Sequence, residues 1–278
     1  MDPGTLYRLA AFSNRSDGGN PAGVWIGEAL PAADVMQRIA ASVGYSETAF
    51  VAPATGQHRS VRYYSPEAEV SFCGHATIAT GVALGNVDGD GTYTLETAVG
   101  QVPVLVRSHD GLKEASLTSV EPNHEPASDE LVAGALEALN WRRDELNDSI
   151  PPARAYAGAW HLVLAVAESG RLSHLEYDFE QLKALMLRDG LTTLQLVWRE
   201  SDLVFHSRNP FPVGGVVEDP ATGAAAAAFG GYLRASGIIT PPATILIRQG
   251  EVMGRPSRLT VDIPVAGGIV VTGTAVPI

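Results

Sequence analysis

The sequence predicts an α+β fold built as two related domains, each with a curved sheet around a buried central helix. The first observation is the stretch 218–237, Glu-Asp-Pro-Ala-Thr-Gly-Ala-Ala-Ala-Ala-Ala-Phe-Gly-Gly-Tyr-Leu-Arg-Ala-Ser-Gly, where a polar turn runs straight into a helix apolar on every side. A surface helix carries one apolar stripe, so a helix apolar all round is buried. The second is an earlier echo, Cys73-Gly74-His75-Ala76-Thr77-Ile78-Ala79-Thr80-Gly81, in which His75-Ala76-Thr77 lines up with Pro220-Ala221-Thr222. Self-similarity at so long a period marks two related domains rather than a solenoid. The third is the abundance of short strands with Gly turns and the scarcity of helices, which points to α+β with a strongly curved sheet.

Each element has its own local reason. Residues 5–12 read as a first strand, followed by the turn-forming loop Ser13–Gly19 and the segment Asn20–Ile26. Pro31-Ala32-Ala33-Asp34 starts a helix whose apolar residues Val35, Ile39, Ala40 and Val43 recur at helical spacing, and Gly44 stops it. Tyr45–Val51 resumes an extended conformation, with Glu47 where helix gives way to strand. Residues 59–65 alternate as a strand and lead into the first central helix. Asp88-Gly89-Asp90-Gly91 is a turn before strands at 92–97, 101–107 and 114–119. Residues 121–130, with two prolines and four acids, read as the interdomain linker. Beyond them the plan repeats: a helix at 131–139, a strand within 153–166, a helix at 179–188, and strands at 191–198 and 203–207. The second central helix follows, then strands at 244–248, 258–263 and 268–275. The division expected is therefore 1–120 and 131–265, with a C-terminal strand at 266–278 packing back on the first domain.

Composition narrows the function classes. A chain of 278 residues gives one large or two ordinary domains with ample core. Its net charge of −12 argues against nucleic acid and against an anionic membrane surface as partners. The single cysteine excludes an intramolecular disulfide and fits a reducing compartment. The start, Met1-Asp2-Pro3-Gly4, lacks a basic segment followed by an apolar run, so no signal peptide is expected and the cytoplasm is the default.

The two helix mouths carry the chemistry. A first helical turn leaves backbone N–H groups without partners and bears the positive end of the helix dipole, which favours an anion such as a substrate carboxylate. If the mouths face each other, His75 and Asp219 share an interdomain cleft, a preferred place for a small molecule. His75 can donate or accept near neutral pH, although a satisfied structural role is the ordinary fate of a histidine. Asp219 reads equally as a plain N-cap. No two histidines stand at metal-ligand spacing, and no glycine-rich dinucleotide or phosphate fingerprint appears, so nothing implies a cofactor or a metal. Asp88 to Gly91 begins like a calcium loop, but the twelfth position is Val99 where a bidentate Glu is required.

Gly19-Asn20-Pro21-Ala22-Gly23-Val24, Glu47-Thr48-Ala49-Phe50-Val51, Phe72-Cys73-Gly74-His75-Ala76-Thr77 and Glu218-Asp219-Pro220-Ala221-Thr222-Gly223 come in the order of the PhzF-like family, named for a phenazine-biosynthesis isomerase. Gln249-Gly250, Met253-Gly254-Arg255-Pro256-Ser257 and Gly273-Thr274-Ala275 also resemble that family, so the likeness runs from Gly19 to Ala275. It implies a diaminopimelate epimerase-like fold, a homodimer, and a cofactor-independent isomerase acting on a small conjugated amino- or hydroxy-carboxylate of secondary metabolism. It also implies that Glu47 is the general acid/base, moving a proton between two carbons of one conjugated system, with His75 and Asp219 holding and polarising the substrate. Asn20, Gly74, Gly223 and Ala224 fall at substrate-binding positions. Ala224 departs from the family, which commonly has Ser there, and this puts the exact substrate in question. Epimerases of the similar fold use two cysteine thiols, one from each domain. Cys73 stands at the matching place of the first turn, and the absence of any second cysteine excludes a thiol–thiol mechanism. A mixed pair of Cys73 and Glu47 would serve an epimerase or lyase on a similar carbon acid, and a non-catalytic binding protein is the reading from another class.

Overall fold

The computed structural model describes residues 4–278; Met1, Asp2 and Pro3, used above in reading the N-terminus, lie outside them. The chain divides into two compact units, Met1–Thr118 with Thr272–Ile278, and Ser119–Val271. The elements in chain order are β1 (Thr5–Ala11), β2 (Asn20–Ile26), α1 (Ala33–Val43), β3 (Glu47–Pro53), β4 (His58–Tyr64), β5 (Glu69–Val70), α2 (Gly74–Asp88), β6 (Gly91–Thr97), β7 (Gly100–His109) and β8 (Leu112–Thr118). They continue with β9 (Asn123–Pro126), α3 (Asp129–Ala138), β10 (Ala153–Tyr156), β11 (Trp160–Val166), α4 (Ser169–Ser173), α5 (Phe179–Arg188), β12 (Thr193–Arg199), β13 (Val204–Phe211) and β14 (Val216–Asp219). Last come α6 (Gly223–Ala235), β15 (Ala243–Gln249), β16 (Ser257–Ile263) and β17 (Val270–Pro277).

In the first unit the strands pair in an antiparallel run β17–β1–β2, a parallel step β2–β3, and antiparallel β3–β4, while β4 runs parallel to β6 and leads on to β7 and β8. This sheet curves around α2, whose residues His75 to Gly85 are all buried. An all-apolar helix has no solvent face, so small residues let strands approach its axis. A Cβ on Gly81 would lie 2.7 Å from the Ala115 methyl and 2.8 Å from Val104, so only glycine fits there without displacing β7 and β8. On the other face of the sheet, α1 buries Met36 and Ala40 against Trp25, Phe50 and Tyr64.

The second unit repeats the plan. The inner helix α6 buries Ala225 to Leu233 and touches β9, β10, β11, β12 and β16. The outer layer is made by α3 and α5, whose Leu131, Leu136, Leu182 and Met186 pack on Leu162, Leu164, Leu194 and Leu196. Each such fully buried side chain contributes about 1.5–3 kcal/mol. Ser128 starts α3 with its hydroxyl accepting from the Leu131 N–H, and Asp178 starts α5 in the same way by accepting from Gln181.

The stretch read as a linker is structured. Within 121–130, β9 pairs with β10, placing Asn123 opposite Tyr156 and Pro126 opposite Ala153, and α3 already begins at Asp129. Its prolines read as breakers in sequence, but one precedes the strand and the other ends it, where a missing N–H is tolerated. The segment 153–166 contains strand as expected, in the form of two strands joined as a hairpin. No helix among the described residues is long and apolar enough to cross a membrane.

Because odd-numbered residues of β11 and β12 point inward, His161 is sealed at 0% exposure, with Nδ1 2.8 Å from the Thr193 hydroxyl and Nε2 without a hydrogen-bond partner among the described residues. Burial pushes its pKa down to about 3 against an ordinary 6.5, partly offset by a hydrogen bond to the Thr193 backbone. The folded chain therefore keeps this imidazole neutral while the unfolded chain takes up a proton below pH 6.5, so acid favours unfolding. The His161 contribution should be complete above pH 6.5 and fall by about 1.4 kcal/mol per pH unit toward pH 3. Urea unfolding between pH 7 and pH 4 checks this against His161→Gln, which should show the shallower pH slope; equal slopes would refute it.

Candidate active site

The first cluster is assembled where a strand start meets a helix mouth. Gly44 takes the left-handed conformation (φ 72°) that an L side chain rarely adopts, and its N–H closes α1 on the Ala40 carbonyl. The chain then turns and enters β3 at Glu47, which lies beside Ala22 of the parallel strand β2. Across the cluster, Cys73 is the N-cap of α2 and Gly74 its first helical residue. The Thr77 hydroxyl donates to the Cys73 carbonyl at 2.7 Å and accepts from the buried Tyr63 hydroxyl at 2.7 Å, which fixes the first turn. Burial holds the Tyr63 phenol far above its ordinary range, so it stays a donor.

This geometry brings His75 Nε2 to 3.3 Å from Glu47 Oε2 and 3.4 Å from Ser46 Oγ. Cys73 Sγ lies 3.3 Å from Nδ1 of the same ring. The His75 side chain is 8% exposed and that of Glu47 19%, so the carboxylate is mostly enclosed yet still reachable. A carboxylate touching an imidazole, with both side chains mostly buried, is suited to taking up and returning a proton. Asn20 is buried at the start of β2, two residues before the Ala22 that pairs with Glu47.

The second unit holds Asp219, Gly223 and Ala224. Asp219 ends β14, opposite Asn209 of β13. The N-cap of α6 is Thr222, whose hydroxyl makes no cap to its own helix and instead donates to Asp219 Oδ2 at 2.6 Å. Gln249 clamps this turn: its Nε2 donates to the Asp219 carbonyl at 2.7 Å, and its Oε1 accepts the Thr222 N–H at 3.1 Å. Gly223 and Ala224 are the first residues of α6 and are half-buried. The Ala224 methyl offers no hydrogen bond at a position two residues beyond this clamp.

Sequence reasoning named Glu47 and His75, and the structure puts them in contact. It gave no role to Ser46, Thr222 or Gln249. The only sequence signal for Gln249 is its place in the Gln249-Gly250 motif, because its partner turn lies far away in the chain.

Comparison with known proteins places the chain. The family model described as phenazine biosynthesis-like protein matches residues 9–278. An uncharacterized isomerase of Bacillus subtilis (strain 168), YfhB, is 29% identical over 288 residues, covering 99% of this chain and 97% of the relative. The crystal structure of a PhzF-family phenazine biosynthesis protein from Bacillus anthracis superposes with a TM-score of 0.86 at 23% identity, covering 100% and 98% of the two chains. A hydroxyproline epimerase from Agrobacterium vitis superposes with a TM-score of 0.67 at 16% identity, over 98% and 90%. At these identities the two structures speak for the fold alone, which is α+β of the diaminopimelate epimerase-like kind. With its match running to the last residue, the chain belongs to the phenazine biosynthesis-like, or PhzF-like, family of isomerases.

Proposed function

We propose that the protein is a cofactor-independent isomerase in which Glu47 shifts a proton between two carbons of a small conjugated amino- or hydroxy-carboxylate. The observation that carries this reading is the contact of Glu47 Oε2 with His75 Nε2 at 3.3 Å, with both side chains mostly buried. In the reaction, the carboxylate removes a proton from a carbon acidified by the conjugated system. The carboxyl exchanges its proton with solvent and then protonates a second carbon on the same face, so no external oxidant or reductant is needed. His75 holds the carboxylate in position and hydrogen-bonds the developing charge. Asp219, kept in place by Thr222 and Gln249, orients a substrate amino or hydroxyl group. The backbone N–H groups at Gly74 and Gly223, at helix N-termini, attract a substrate carboxylate. A small-molecule carboxylate as partner, a homodimer and a cytoplasmic location belong to the same proposal.

Cys73 favours a second reading, epimerisation by a mixed thiol and carboxylate pair, because its sulfur touches the ring that contacts Glu47. One experiment separates the two. Proton NMR in D₂O with trans-2,3-dihydro-3-hydroxyanthranilate should show double-bond migration with deuterium entering a new carbon. Deuterium exchange at a stereocentre with inversion and no migration would support epimerisation. The absence of any exchange would rule out this substrate and direct attention to Ala224.

A further inference from the structure

We propose that the second unit carries a binding site for a free α-amino acid with an apolar side chain, in a cavity bordered by α4, β12, β13, β15 and the turn after β15. The cavity measures about 210 Å³. That is below the roughly 300–1,000 Å³ of sites for drug-sized ligands and suits a small metabolite. Strand register builds its wall. Trp198 stands opposite His206 across the antiparallel β12–β13 pair, and His206 stands beside Arg248 across the parallel β13–β15 pair. The three side chains thus form one row on one face of the sheet. Their chain neighbours Ser207 and Gln249 are buried on the other face, where Gln249 accepts from the N-cap residue of α6. The row therefore faces away from α6.

Two charged groups of the wall have unused capacity. Arg248 Nη1 donates to Glu200 at 2.9 Å, while its Nε and Nη2 make no hydrogen bond among the described residues. Arg208 and Arg62 each grip a carboxylate, Glu218 and Glu69, with two bonds through that same Nε–Nη2 edge, so the open edge of Arg248 is shaped for a carboxylate. Glu251 Oε2 lies 3.2 Å from His206 Nδ1, and its Oε1 makes no hydrogen bond among the described residues. The remaining ion pair of the wall, Arg208 with Glu218, is complete in itself. A ligand that complements what is left brings a carboxylate to Arg248, an ammonium to Glu251 and an apolar group to Trp198 and Leu172, which is a zwitterionic amino acid. Arg248 is held ready for it, because its partner Glu200 is itself fixed 2.6 Å from His206 Nε2. That hydrogen bond, together with the Arg248 charge, keeps the Glu200 carboxyl below its ordinary range, so it stays an anion. None of this depends on the isomerase reading.

The test is isothermal titration calorimetry of the full chain with L-leucine and with L-phenylalanine. At least one of them should bind with one-to-one stoichiometry. Analogues without the ammonium (4-methylpentanoate, 3-phenylpropionate) or without the carboxylate (3-methylbutylamine, 2-phenylethylamine) should bind at least about tenfold more weakly than the parent amino acid. Arg248→Lys leaves a cation for Glu200 but removes the two-pronged edge, and should weaken binding by at least about tenfold. Glu251→Gln should weaken the amino acid while leaving its ammonium-free analogue unchanged. Binding of neither amino acid overturns the proposal, and so does an ammonium-free analogue that binds as tightly as its parent. Equal affinity in wild type and Arg248→Lys puts the ligand at another place, the mouth of α6 included, and overturns it too. The wild-type comparison of parents with analogues decides even where a variant fails to fold.

Discussion

Glu47→Gln should lower the isomerisation rate by about 10²- to 10⁴-fold, the range that one positioned acid/base supplies. Glutamine matches the shape of glutamate and still reaches His75, so the surroundings keep their packing; what disappears is a group able to take up and release a proton within one cycle. Because Glu47 sits at the first residue of β3 and its side chain is 19% exposed, the isostere should cost the fold less than about 1 kcal/mol. The loss should therefore fall on kcat, with little change in KM or in the thermal midpoint. Rates from proton NMR in D₂O, set beside thermal melts of the same samples, give both quantities. Wild-type turnover by Glu47→Gln would remove Glu47 from the acid/base role, and a loss of rate accompanied by a collapse of stability would make its role structural.

How much of this was legible in the sequence depends on the range of the interactions. The helices α2 and α6 were legible because runs such as Gly74 to Gly85 and Ala224 to Leu233 have no polar face to give to water. The strands flanking Glu47 were legible from local alternation and from the Gly44 stop. β9 was not, because its identity as a strand comes from β10, some thirty residues away, while its own Pro and Glu content reads as a loop. The same holds for β14, which consists of four residues concealed in a motif and is defined by its pairing with β13. At the site, residue types pointed to Glu47 and His75. Their contact, the Cys73 sulfur beside the ring and the Gln249 clamp on the Asp219 turn are long-range facts, and no periodicity encodes them.

Arg208→Met should destabilise the protein by about 3–5 kcal/mol, the usual cost of leaving one buried charge without its partner. Arg208 on β13 forms a two-pronged pair with Glu218 on β14, Nε to Oε1 at 2.9 Å and Nη2 to Oε2 at 2.5 Å, with side chains 12% and 4% exposed. Its remaining nitrogen donates to the carbonyls of Leu172 and Ser173, tying the end of α4 to the same strand pair. Without the guanidinium, the Glu218 carboxylate stays enclosed, and the neighbouring residue in the chain is Asp219. Tyr177 supports this strand from the side by donating to the Val217 carbonyl, and burial, reinforced by the Glu218 charge, raises its phenol pKa to about 12, so it remains a donor throughout the working range. The double variant Arg208→Met with Glu218→Leu removes both charges together and should regain most of the loss, since a well-packed apolar pair is often no worse than a buried ion pair. Urea midpoints of wild type, single and double variants form the test. A single variant within about 1 kcal/mol of wild type would show that water already reaches the pair, and a double variant as unstable as the single would show that β14 depends on the hydrogen bonds of Arg208 rather than on cancelling its neighbour's charge.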